Sequence, residues 1–184
     1  EKLSVVETNI NNCPSAPLSI NVTVSADPTS VAPTATAATT VSQTSFIANW
    51  NIVNTPTGTV SYALDVSSDN FSTLLAGYDN LPVSTNSQLV IGLNPGGSYQ
   101  YRVRSIRGSN TSASSTPIQA LLIPPAPVAT TASSILAGGF TANWNSANGA
   151  SDYLVDVATD NGFTNFVGVY SSKLVTGANS LAVT

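Results

Sequence analysis

Asp65, Asp69 and Asn70, and again Asp156, Asp160 and Asn161, place side-chain oxygens at intervals that suit two chemistries. They read first as turn residues, because Asp and Asn side chains bond to backbone nearby and tolerate turn conformations. Oxygen ligation of a calcium ion is the second reading for Asp65, Asp69, Asp156 and Asp160, with too few carboxylates for a cage. Arg102, Arg104 and Arg107 are three of the five basic residues. Strand alternation puts Arg102 and Arg104 opposite Tyr101 and Val103, on an outer sheet face. There they pair with aspartates, or recognise an acidic glycan or protein. Tyr78, Tyr170, Phe71 and Phe163 read as packing residues, with a sugar-stacking platform as the alternative.

Catalysis finds no such support. Histidine is absent, so no Ser-His or Cys-His pair can be assembled and no group titrates near neutral pH in the usual way. Outside the repeated turns there are no paired carboxylates for glycoside hydrolysis. Gly96-Gly97 lies in a turn and opens no helix that could cradle phosphate. The expectation is a non-enzyme without cofactors. Charged residues are 8% of the chain and the formal charge is -4, which argues against a nucleic-acid partner. No apolar run is long enough to insert in a bilayer as a helix. Cys13 is the single cysteine, so it stays a free thiol or pairs outside the chain. Asn21-Val22-Thr23, Asn70-Phe71-Ser72 and Asn110-Thr111-Ser112 match the asparagine-glycosylation pattern.

The elements that position these groups are strands. Phe46-Ile47-Ala48-Asn49-Trp50-Asn51 and Phe140-Thr141-Ala142-Asn143-Trp144-Asn145 hold both tryptophans and alternate with period two. Each reads as a core strand, and the duplication divides the chain into units of about 90 residues. Residues 33 to 123 make one complete unit of seven short strands, at residues 34–40, 45–51, 60–67, 71–78, 87–92, 99–106 and 117–123. Turns such as Asn54-Thr55-Pro56-Thr57-Gly58 and Asn94-Pro95-Gly96-Gly97 separate them. The spacing predicts an all-β antiparallel sandwich.

Trp50, together with Leu93-Asn94-Pro95-Gly96-Gly97-Ser98-Tyr99, resembles a fibronectin type III domain. The resemblance implies that Trp50 is a core landmark and that Leu93, Pro95 and Tyr99 form a tyrosine corner, whose hydroxyl bonds to nearby backbone. Residues 127 to 184 resemble the first five strands of a second such unit, Trp144 matching Trp50 and Tyr153 matching Tyr62. Its extra residue relative to the first unit is expected at Gly162. Pro124-Pro125-Ala126-Pro127 reads as a stiff hinge. The Phe-x-Ala-Asn-Trp-Asn signature is similar to modules of long exported Bacteroidota proteins, implying an extracellular or cell-surface setting.

Residues 1 to 31 contain two strand-like runs, 3–8 and 18–25, that need a sheet from elsewhere, followed by a proline-stiffened linker. Two accounts follow. Either the chain is an excerpt of a tandem array, or the hairpin of one subunit completes the second sandwich of the next, giving a head-to-tail filament. The functional expectation is a spacer, stalk or scaffold whose partners are neighbouring domains or identical subunits. The alternatives are an adhesin or carbohydrate-binding accessory module on a cell-surface glycan, and the filament subunit.

Overall fold

The computed structural model describes residues 2–5, 18–21, 31–54 and 60–184. Cys13, the connection around it, residues 27–30 of the linker and Thr55-Pro56-Thr57-Gly58 lie outside the described residues. β1 (Lys2–Val5) and β2 (Leu18–Asn21) pair antiparallel as a two-stranded sheet.

The first unit packs two antiparallel sheets, and no helix occurs among the described residues. β3 (Ala35–Thr39), β4 (Phe46–Trp50) and β7 (Ser87–Val90) form one, in the order β3-β4-β7. The other contains β5 (Ser61–Ser67), β6 (Leu81–Val83), β8 (Ser98–Arg107), β9 (Asn110–Thr111) and β10 (Ile118–Leu121). Its order is β10-β8-β5-β6, with β9 also on β8. Period-two alternation in β4 sends Phe46, Ala48 and Trp50 inward, and all three are buried. Facing them, Tyr62, Leu64, Val66, Tyr101 and Val103 close the core from the second sheet. Phe46 stacks on Tyr101 at 5.7 Å and Trp50 meets Tyr62 edge-on at 5.5 Å. The Tyr101 hydroxyl also joins the sheets through hydrogen bonds, accepting from Asn49 N–H at 3.2 Å and donating to the Thr36 carbonyl.

The strand expected at residues 71–78 does not form. Ser67 Oγ accepts the Phe71 N–H, the Asp69 carboxylate accepts the Thr73 N–H, and Asn70 and Phe71 take positive φ. These side chains capture the donors a ladder would need. The strand on this edge is β6 instead, three residues after Tyr78.

The second unit repeats the arrangement with fewer strands. β11 (Ala129–Leu136), β12 (Gly139–Trp144) and β15 (Ser180–Val183) make a three-stranded sheet. β13 (Asp152–Val155) pairs with β14 (Lys173–Thr176). Trp144 meets Tyr153 at 5.5 Å, as Trp50 meets Tyr62. Tyr62 OH accepts from Val53 N–H and Tyr153 OH from Ala147 N–H, each at 3.0 Å. The extra residue does not sit at Gly162. Asp69 captures the N–H of Thr73 and Asp160 that of Thr164, four residues on in both cases. The next shared bonds, Leu75 N–H to Val66 O and Val167 N–H to Val157 O, place the insertion between Thr164 and Val167. The carboxylate fixes the length of its own turn, so the insertion moves beyond it.

Candidate functional site

Asp65 stands on β5 against Arg102 and Arg104 of β8. Its side chain is 1% exposed, and its carboxylate accepts from Arg102 Nε at 2.9 Å and from Arg104 Nη2 at 3.0 Å. The Asn80 N–H donates to the same carboxylate at 2.9 Å, and the Asn80 side-chain oxygen accepts from Arg104. Arg102 also lies over the Phe71 ring, 4.4 Å from its centroid. The cations are thus joined to a buried carboxylate, and this network clamps β5, β8 and the start of β6. Asn80 had no sequence signal; only the fold brings it to Asp65.

Asp69 serves its own turn. Its carboxylate accepts from Thr73 N–H, Thr73 Oγ1 and Ser67 Oγ. The Thr73 hydroxyl, then its N–H, then Ser67 hold the carboxyl down at about 2. Asp160 is lowered in the same way, first by the Asn165 N–H and then by that of Thr164. Asp156 is exposed and accepts the Ser172 N–H, as Asp65 accepts that of Asn80. No cluster of three or more ligating residues that could hold a metal occurs among the described residues.

Tyr78 and Tyr170 direct their hydroxyls at backbone. Tyr78 OH accepts the Ile91 N–H at 2.8 Å, and Tyr170 OH accepts the Thr184 N–H at 3.0 Å. That bond lowers the Tyr170 pKa. Tyr99 OH accepts the Asn94 N–H at 2.9 Å, closing the Leu93–Tyr99 turn. Tyr99 and Leu93 are buried, while Pro95 is half-buried.

That turn is also where the two units meet. Gly96 N–H donates to the Ile123 carbonyl, Leu122 N–H to Gly97, and Ile123 N–H to Ser42, so the chain leaving the first unit is fastened to it. Gln43 Nε2 reaches the Pro124 carbonyl at 3.3 Å. From the second unit, Asn148 Nδ2 donates to the Pro95 carbonyl at 2.7 Å. Gly96 and Gly149 face each other with φ of +68° and +74°, a region glycine enters without steric cost. A Cβ on Gly96 would lie 1.8 Å from the Asn148 carbonyl oxygen, and one on Gly149 would lie 2.2 Å from the Gly96 oxygen. Only glycine permits this approach of backbone to backbone. Sequence reading had found the turn but not its second use, because Asn148 and Gly149 look like any loop.

The fibronectin type III domain model matches residues 31–120. A fibronectin type III domain is therefore present here, and such domains are commonly structural or scaffold modules of multidomain proteins, generally without catalysis. Among solved structures, the human fibronectin type III domain containing protein 3 domain is 17% identical with a TM-score of 0.46. The match covers 57% of this chain and 94% of that one. The chicken CNTN1 FN1–FN3 structure is 13% identical with a TM-score of 0.44, covering 99% of this chain and 66% of that one. The domain from human KIAA0970 protein is 10% identical with a TM-score of 0.45, covering 52% and 75%. No curated protein matches the chain.

Proposed function

We propose that the chain is a non-catalytic spacer in which two fibronectin type III sandwiches stand in tandem at a fixed mutual angle. The observation that carries this is the junction. A flexible tether would need no glycine pair in backbone contact, no Asn148–Pro95 bond and no linker fastened at Ile123 and Pro124. Fixing the angle turns two short modules into one stiff segment, which is what a stalk or scaffold requires. The low charge, the hydroxyl-rich composition and the Phe-x-Ala-Asn-Trp-Asn signature support placing it in an exported or cell-surface protein of the Bacteroidota.

The test is a distance measurement between spin labels, one on each unit. The chain as it stands should give one narrow distribution. Gly96→Val adds a branched side chain where even a Cβ collides, and should broaden it with both sandwiches still folded. An equally broad distribution in the unsubstituted chain would refute the fixed angle.

A further inference from the structure

Asparagine followed by glycine occurs twice in the chain, at Asn148-Gly149 and Asn161-Gly162, and both pairs are exposed. Such a pair carries its own chemistry. The backbone nitrogen of the glycine can attack the asparagine Cγ, because glycine has no Cβ to crowd the approach. The new N–Cγ bond closes a cyclic imide, the Cγ–Nδ2 bond breaks, and ammonia leaves with the proton that the nitrogen gave up. Water then opens the ring, at Cγ to give aspartate or at the backbone carbonyl carbon to give isoaspartate, whose main chain runs through Cβ and Cγ.

The structure separates the two pairs by the state of the attacking nitrogen. Gly162 N–H donates to the Asp160 carboxylate, which also accepts from Thr164 N–H at 3.1 Å and from Asn165 N–H at 2.7 Å. The nitrogen must lose its proton to attack, and a carboxylate beside it both holds that proton and opposes the negative charge. Gly149 N–H has no acceptor among the described residues. What restrains this pair is the side chain, since Asn148 Nδ2 donates to the Pro95 carbonyl at 2.7 Å. That bond joins neutral groups, and a bond to a carboxylate is about twice as strong. Asn148 is therefore the faster of the two.

We propose that Asn148 is a site of spontaneous conversion to aspartate and isoaspartate, and that the conversion releases the junction between the two units. The release rests on the fixed angle argued above. The amide that leaves is the one bonded to Pro95, so an oxygen acceptor comes to face the Pro95 carbonyl where a donor stood. The peptide that reacts is also the one pressed on Gly96. Its carbonyl oxygen and its nitrogen lie 1.8 Å and 3.2 Å from where a Cβ on Gly96 would stand. That leaves no room for the extra main-chain carbon of isoaspartate, which also lengthens the turn that Ala150 N–H closes on the Ala147 carbonyl at 3.1 Å. A stiff segment becomes flexible in one direction only, with age, since neither product returns to asparagine.

The test ages residues 1–184 at mildly alkaline pH and follows each asparagine by peptide mass and by enzymatic methylation of isoaspartate. Asn148 should convert at least about threefold faster than Asn161, and faster still as pH rises. Equal rates, or Asn161 ahead, overturn the assignment of the site. Spin labels on the two units then read the junction in the fresh chain, in the aged chain and in an Asn148→Asp variant. The expected result is a narrow distribution in the fresh chain that broadens in the other two, with the fluorescence of Trp50 and Trp144 still that of folded units. A distribution equally narrow in all three overturns the release. One already broad in the fresh chain overturns the fixed angle and the release with it, while the mass readout decides the site by itself.

Discussion

Replacing Asp65 by Ala should destabilise the first unit selectively. The side chain is 1% exposed and accepts from two guanidinium groups and the Asn80 N–H. Breaking a buried ion pair on one side costs about 3–5 kcal/mol when the remaining charge stays buried. Here Arg102 and Arg104 keep 30% and 23% side-chain exposure and can recover water, which puts the loss near the low end, about 3 kcal/mol. For a unit of this size that lowers Tm by roughly 12–24 °C. The assay is urea unfolding followed by fluorescence in a Trp144→Phe background, where Trp50 reports on its own unit. Asp156→Ala in a Trp50→Phe background is the internal control. Asp156 is exposed, accepts the equivalent N–H and has no arginine beside it, so its loss should stay under about 1 kcal/mol. A loss under about 1 kcal/mol for Asp65→Ala, or equal losses at both sites, would refute the argument. Asp65→Leu combined with Arg102→Met and Arg104→Met should regain part of the stability, because no unpaired charge is left.

Asn49 Nδ2 donates to the Ala37 and Ile47 carbonyls and to Thr39 Oγ1, and Asn143 Nδ2 to Thr131, Thr141 and Ser133 Oγ. Each holds the register shift between the first two strands of its unit. Asn49→Ala and Asn143→Ala should each cost about 1–2 kcal/mol in their own unit, read by the same tryptophan pair. For Asp69 the folded carboxyl titrates near 2, below the unfolded value of about 3.9. Its contribution is therefore fully present above pH about 4 and is lost as pH falls towards 2. Asp69→Asn should flatten that part of the first unit's stability curve, and an unchanged slope between pH 4 and 2 would rule the linkage out.

Much of the frame was legible in the residues. Period-two alternation marked the core strands, and the duplicated tryptophan stretch marked β4 and β12, whose tryptophans meet Tyr62 and Tyr153 in the same way. Both signals are local, since a strand with one face on a core must alternate wherever it sits. The tyrosine corner was legible for the same reason: Leu93, Pro95 and Tyr99 lie within one turn, and the bond from Asn94 spans only five residues. The expected strand at residues 71–78 failed because apolar residues there also suit turns, and the Ser67 and Asp69 side chains took the backbone donors.

What only the tertiary structure decided were pairings between residues far apart in the chain. Asp65 and Asp156 look alike in sequence, with an aspartate in the same place of each repeat. One is a buried anchor because β8 lays two arginines beside it, and the other is an exposed cap because no strand lies on that edge among the described residues. Gly96 and Gly149 likewise read as ordinary turn residues until folding brings their backbones into contact. Alternation fixes which way a side chain points. The three-dimensional arrangement decides which neighbour receives it, and here that distinguishes a turn from a junction and a solvated carboxylate from a clamp.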